Sequence, residues 1–136
     1  MFNAAIAAHY GVPVVFVSGD RKTIEQMQGA IPGITGAIVK EPLGYHSALT
    51  VTPARGQAMI RDGVRGALAR RSNIQPYRVK APIELEVAFK LTLDAERASY
   101  IPGLSRSDAH AVKGTYPDII QIVRLMQVLT SLEPPG

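Results

Sequence analysis

Along residues 2–40 the apolar positions change period twice, and each change marks an element. Phe2–Tyr10 is rich in alanine and other helix formers, and Gly11 with Pro13 stops it. No capping residue precedes this helix, as expected of a chain that begins inside an element. Val12–Val17 is continuously apolar and rich in β-branched residues, the pattern of a strand buried on both faces of a parallel sheet. It runs into Ser18-Gly19-Asp20, where Asp20 suits the N-cap of a helix over residues 21–30. Ile24, Met27 and Ile31 fall on one face of that helix. Pro32-Gly33 ends it, and Ile34–Lys40 is a second strand. Strand, helix and strand with short links make a right-handed parallel βαβ unit.

Glu41-Pro42-Leu43-Gly44 is expected to break the second strand and Tyr45–Val51 to be extended or loop. Thr52-Pro53 opens a long helix to about Arg71, with Ile60, Val64, Ala67 and Leu68 as its buried stripe. Ser72–Lys80 is a linker. From Ile83 to Leu91, apolar Ile83, Leu85, Val87, Phe89 and Leu91 alternate with Glu84, Glu86, Ala88 and Lys90. Such a strand belongs to an antiparallel or edge setting. Asp94–Tyr100 is a short helix ended by Ile101-Pro102-Gly103, an echo of Ile31-Pro32-Gly33. Leu104–Gly114 is one more strand, irregular around Ser105–Asp108. Thr115 as N-cap, with Pro117 and Asp118 in the first turn, starts a last helix to about Leu132. Apolar residues cover most of that helix, which calls for cover from sequence outside the chain or from another subunit. The pattern predicts an α/β fold: one domain over 1–136 with a three-layer-like mixed sheet. It contains a βαβ unit, an alternating edge or antiparallel strand and a long apolar C-terminal helix.

Composition narrows the function more than the fold. With 46% hydrophobic and 19% charged residues, the 136-residue chain is too apolar to be disordered, and Cys 0 excludes disulfides, thiolate metal sites and a cysteine nucleophile. No apolar run approaches the roughly 20 residues of a membrane helix. The start carries no basic segment of a secretory signal, so the expected setting is cytoplasmic, without membrane partners. The net charge of +4 gathers partly on Arg55, Arg61, Arg65, Arg70 and Arg71. With only 6% aromatics and no aromatic–basic interleaving, these arginines read as a solvated helix face rather than a nucleic-acid surface.

Candidate chemistry is sparse. His9, His46 and His110 lack ligand spacing, and Glu84 with Glu86 reads better as the wet side of a strand than as a general acid–base pair. Ser18-Gly19-Asp20 sits at the carboxyl end of a parallel strand, where open α/β sheets bind ligands. It equally fits a plain N-cap turn. No phosphate loop, nucleophile elbow or His-Glu-x-x-His motif occurs.

A wider pattern lies in the order of short motifs: Phe2-Asn3-Ala4-Ala5, Gly11-Val12-Pro13-Val14-Val15, Ser18-Gly19-Asp20, Ile31-Pro32-Gly33, Ala37-Ile38-Val39-Lys40, Thr52-Pro53-Ala54, the strand Ile83–Leu91 and Ile101-Pro102-Gly103. Taken in sequence they resemble the second half of the D-aminopeptidase (DppA-type) family of zinc metallopeptidases. The resemblance implies proteins about twice this long, assembled as ring-like homo-oligomers. It also implies a two-zinc site for polarising a peptide carbonyl and activating water, built by residues that would precede Met1. Gly44-Tyr45-His46-Ser47-Ala48 looks superficially like a zinc motif of the family, but its flanks place it in another segment, so His46 is not a ligand. The expectation is therefore a C-terminal portion of a peptide hydrolase, with no metal or catalytic residue of its own and inactive alone. It would supply scaffold and a substrate-pocket rim at Asn3, Asp20 and Lys40, where elements end. Its partners would be further copies of itself, the upstream half if encoded separately, and small peptides. A non-catalytic oligomerisation or partner-binding remnant is the alternative.

Overall fold

A computed structural model describes residues 1–131. Among them the chain forms two compact units, Met1–Arg78 and Val79 onward, each with its own three-stranded sheet. The expected single mixed sheet is thus two small ones, although the α/β class stands. The division falls inside the predicted linker Ser72–Lys80, where Pro76, with Pro82 just beyond, disfavours both helix and central strand.

The first unit contains α1 (Phe2–His9), β1 (Phe16–Asp20), α2 (Arg21–Ala30), β2 (Thr35–Gly44), β3 (Ser47–Thr50) and α3 (Pro53–Ala69). The βαβ unit is present: β1 and β2 pair in parallel, with Val17 opposite Gly36. The first strand starts four residues later than Val12, so most of the run Val12–Val17 is an approach to the sheet. Its end at Val15 already accepts a hydrogen bond from Thr35 N at 3.0 Å. Continuous hydrophobicity marks burial, which an approach segment can share with a strand.

Two glycines let the layers close. Gly36 leaves room for Ile24 of α2, and Gly63 of α3 leaves room for the ring of Phe16. Phe16 and Val17 alternate across the sheet, and Val17 shares its side with Gly36, so α2 and α3 cover opposite faces of β1 and β2. This unit is a small three-layer sandwich. Ala4, Ile31, Ile34 and Ile74 form the buried cluster beside Val15, Val17 and Met27. On α3 the buried positions are Gly56 and Ala67, with Met59, Ile60, Gly63 and Val64 half-buried. Leu68, expected in the stripe, is 48% exposed, because it stands one position beyond the face that meets the sheet.

The expected break at Glu41–Gly44 does not occur. β2 runs through it and returns as β3, with Lys40 opposite Thr50, Glu41 opposite Leu49 and Pro42 opposite Ala48. Proline is tolerated because Pro42 occupies a position whose backbone points away from β3.

The second unit contains β4 (Ile83–Ala88), α4 (Thr92–Ser99), β5 (Ser105–Arg106), β6 (Ala111–Tyr116) and α5 (Ile119–Leu129). Its sheet is antiparallel, in the order β4-β6-β5, so the alternating strand is an edge strand as its pattern predicts. β4 ends at Ala88, short of Leu91, which is 55% exposed. Ala95, Ala98, Leu104, Val112, Leu125 and Leu129 form the core against Leu85 and Val87.

The last helix begins three residues later than Thr115 suggested. Thr115 and Tyr116 belong to β6, and Asp118 is the cap, its Oδ1 accepting from Ile120 N at 2.9 Å and Gln121 N at 3.0 Å. Its described length is 11 residues, and the predicted end at Leu132 lies outside the described residues. The helix is not the bare, long element expected. Ile119, Ile122, Leu125 and Leu129 are buried by this chain itself, and Val128 is its exposed large apolar residue.

The paired Ile-Pro-Gly motifs are two copies of one joint. Gly33 and Gly103 have φ of 86° and 91°, and Ile34 N and Leu104 N donate back to Ile31 O and Ile101 O at 3.2 and 3.1 Å. Proline presets the first turn residue, and glycine supplies the left-handed second.

Candidate functional site

The richest set of charges in the first unit stands where β1 ends and α2 begins. Asp20 is the N-cap, its Oδ1 accepting from Thr23 N at 2.8 Å. That backbone hydrogen bond is the main reason its carboxyl lies below the ordinary 3.8. Desolvation opposes the shift, and the positive charge of Lys40 assists it. Lys40 is the register partner of Asp20 across the parallel pair. One residue further along the chain from each, Arg21 Nε, at the start of α2, donates to both oxygens of Glu41 at 3.0 and 2.9 Å, and this contact holds the guanidinium above its ordinary pKa. The corner therefore carries acid, base, base and acid in a compact array. Its members are solvent-accessible, so the array adds little to stability.

Of the three residues expected at a pocket rim, the sheet register brings Asp20 and Lys40 together. Asn3 lies on α1, exposed, and neither strand pairing nor a hydrogen bond joins it to the other two. The Arg21–Glu41 pair was not foreseen. The register that would reveal it depends on β2 continuing past Lys40, which Pro42 and Gly44 concealed.

A second polar surface is the outward side of the sheet in the second unit. A groove of about 990 Å³ is lined by Glu84, Glu86, Ser105, Ser107, Lys113 and Thr115, floored in part by Gly103 and Gly114. Lys113 stands opposite Glu86 on one side and Ser105 on the other, and Ser107 Oγ donates to Glu86 Oε1 at 2.7 Å. Glu84 and Glu86 thus form the wet face of an edge strand, as the alternation predicted. Beneath the sheet, the Tyr116 hydroxyl is buried without a hydrogen-bond partner among the described residues, and this desolvation raises its pKa. One Asp94 side-chain oxygen, Oδ1, is also buried without a hydrogen-bond partner among the described residues.

Among the described residues, no three His, Asp or Glu side chains gather into a set able to hold a metal ion. The described donors on their own do not make up a two-zinc site. His46 sits in the turn between β2 and β3 with its ring edge-on to Tyr45, 4.6 Å between centroids. No described helix is long and apolar enough to cross a membrane.

Comparison with known proteins agrees with the order of motifs. Residues 1–128 match the Peptidase M55 family, described as D-aminopeptidase. The D-aminopeptidase of Bacillus subtilis (strain 168) is 26% identical over 131 residues, covering 96% of this chain and 48% of that protein. Among solved structures, "Zn-dependent D-aminopeptidase DppA from Bacillus subtilis, a self-compartmentalizing protease" superposes with a TM-score of 0.89. It is 26% identical, over 96% of this chain and 48% of the other. The chain spans about half the length of the relative it matches. With the match running from α1 into α5, this chain belongs to the D-aminopeptidase family, Peptidase M55.

Proposed function

We propose that this chain is the C-terminal portion of a zinc-dependent D-aminopeptidase-like peptide hydrolase, acting in the cytoplasm as part of a homo-oligomer. In this reading residues 1–136 supply scaffold and the rim of a substrate pocket, and the metal ligands belong to polypeptide outside them. The observation that carries it is the combination of near-complete coverage of this chain with 48% coverage of the Zn-dependent relative. The donor inventory supports it from the other side, since His9 ends α1, His46 lies in the turn between β2 and β3, and His110 lies in the loop before β6.

For the rim, the corner at Asp20 and Lys40 has the required chemistry. A small peptide carries an ammonium and a carboxylate, and the Asp20 carboxylate with the register-paired Lys40 ammonium complements both. Asn3 is retained as a rim residue at the start of α1.

The test is direct. The purified chain is assayed for hydrolysis of small D-amino-acid peptides with added zinc and with a chelator, while bound zinc is measured by metal analysis. No hydrolysis above background and no stoichiometric zinc are expected. Chelator-sensitive turnover by residues 1–136 alone would overturn the reading.

A further inference from the structure

Helix α2 has the charged corner at its first residue and a cavity at its last. Ala30, Ile31 and Pro32 form one side of this cavity, the segment after α3 forms the other, and the space between is about 380 Å³. All of these walls belong to the first unit. The volume is in the range that encloses small molecules. The whole of α2 separates the cavity from Asp20, roughly 15 Å by the rise of an α-helix, so the two places are distinct.

The core anchors the walls. Ile31 and Ile74 are buried, and half-buried Tyr77 packs against the same cluster. On either side of Ile74, Asn73 and Gln75 are exposed, and both line the cavity. Arg78 completes the lining. Among the described residues around the cavity it is the one with a charge, and no acid accompanies it. It enters none of the ion pairs among the described residues. The remaining walls, from Ile31, Pro32, Pro76 and the ring of Tyr77, are apolar.

We propose that this cavity binds a small organic carboxylate with an apolar body the size of an aromatic ring. Its chemistry assigns the two ends of the ligand separately. A guanidinium with no carboxylate of its own takes one from the ligand through parallel N–H donors, and the amides of Asn73 and Gln75 add further donors. The carbonyl oxygens at the end of α2 carry partial negative charge. The charged end of the ligand therefore belongs at Arg78, and its body against Pro32, Pro76 and Tyr77. Inorganic phosphate would leave the apolar walls unused, and an uncharged ring would leave Arg78 unmatched. The inference is independent of the peptide-hydrolase reading, and the site uses none of Asn3, Asp20 and Lys40.

The test is titration of the full, isotope-labelled chain with phenylacetate, followed by heteronuclear NMR, with acetate, phenylacetamide and inorganic phosphate as comparisons. Phenylacetate is expected to give saturable shifts at the backbone amides of Ile31, Asn73, Gln75, Tyr77 and Arg78. Each comparison compound should bind at least roughly tenfold more weakly, since each lacks either the charge or the apolar body. Arg78→Gln removes the cation, and Asn73→Asp sets a carboxylate beside the ligand's own. Both positions are exposed, and an unchanged spectrum away from the cavity establishes that each variant is folded. Each folded variant should weaken phenylacetate by roughly tenfold. Absence of saturable shifts at these residues, equal binding of phenylacetate and any comparison compound, or full affinity in a folded variant would overturn the proposal. Should one variant fail to fold, the other decides.

Discussion

Asp20 does two things at once: it caps α2 and it faces Lys40 across the parallel pair. Its carboxyl is held below 3.8 chiefly by the Thr23 amide, so the folded state prefers the ionised form more than the unfolded chain does. The stabilisation is complete above that ordinary value and disappears as pH falls through the lower folded value. Asp20→Asn keeps a capping oxygen but cannot ionise. Its unfolding midpoint is therefore expected to fall less steeply than the parent's over the acid limb below pH 3.8, as read by urea denaturation at stepped pH. An identical slope in both proteins would remove Asp20 from the set of residues whose ionisation the fold uses.

At the scale of elements, glycines in two helices make opposite predictions. Gly29 in α2 has open space where a Cβ would stand, so Gly29→Ala is expected to stabilise by about 0.5–1 kcal/mol through helix propensity alone. Gly63 in α3 lies against the ring of Phe16, and there the same propensity gain competes with overpacking of about 1–3 kcal/mol. The packing cost is larger, so Gly63→Ala should lower stability by roughly 1 kcal/mol. Thermal or denaturant unfolding of the two variants gives the signs. These glycines also show what a linear pattern can and cannot carry. The helix over residues 21–30, the Asp20 cap, the parallel pairing and the alternation from Ile83 were legible, because each is set by local periodicity or a single capping residue. The exposure of Leu68, the hairpin through Pro42 and the start of α5 at Asp118 rather than Thr115 were not. Each depends on which strand lies alongside, and that neighbour is distant in sequence. The corner at Asp20 was legible as a strand end, while its partner Glu41 was hidden by the proline beside it.

At the scale of the molecule, the two units meet in sequence at a stretch that the fold leaves outside helix and strand. Arg78, Val79, Lys80, Ala81 and Pro82 are all exposed. Backbone that is neither buried nor laddered is the preferred target of proteases. Brief trypsin treatment of the native chain is expected to cut first after Arg78 or Lys80, giving two lasting fragments by mass spectrometry. Initial cleavage within the arginines of α3 would show that this helix, and not the connection, opens most readily. The match to a family along residues 1–128 runs through both units, so the relationship was visible in the order of motifs even though no motif in isolation identifies it.

The repeated Ile-Pro-Gly joint fixes how a strand leaves its helix through backbone torsions, with proline and a left-handed glycine setting the angle in both units. A direction fixed by torsions does not depend on the bulk of neighbouring side chains. A change of side-chain size inside α2 or α4 is therefore expected to cost packing energy without redirecting the strands that follow. The two glycines themselves tolerate almost no such change.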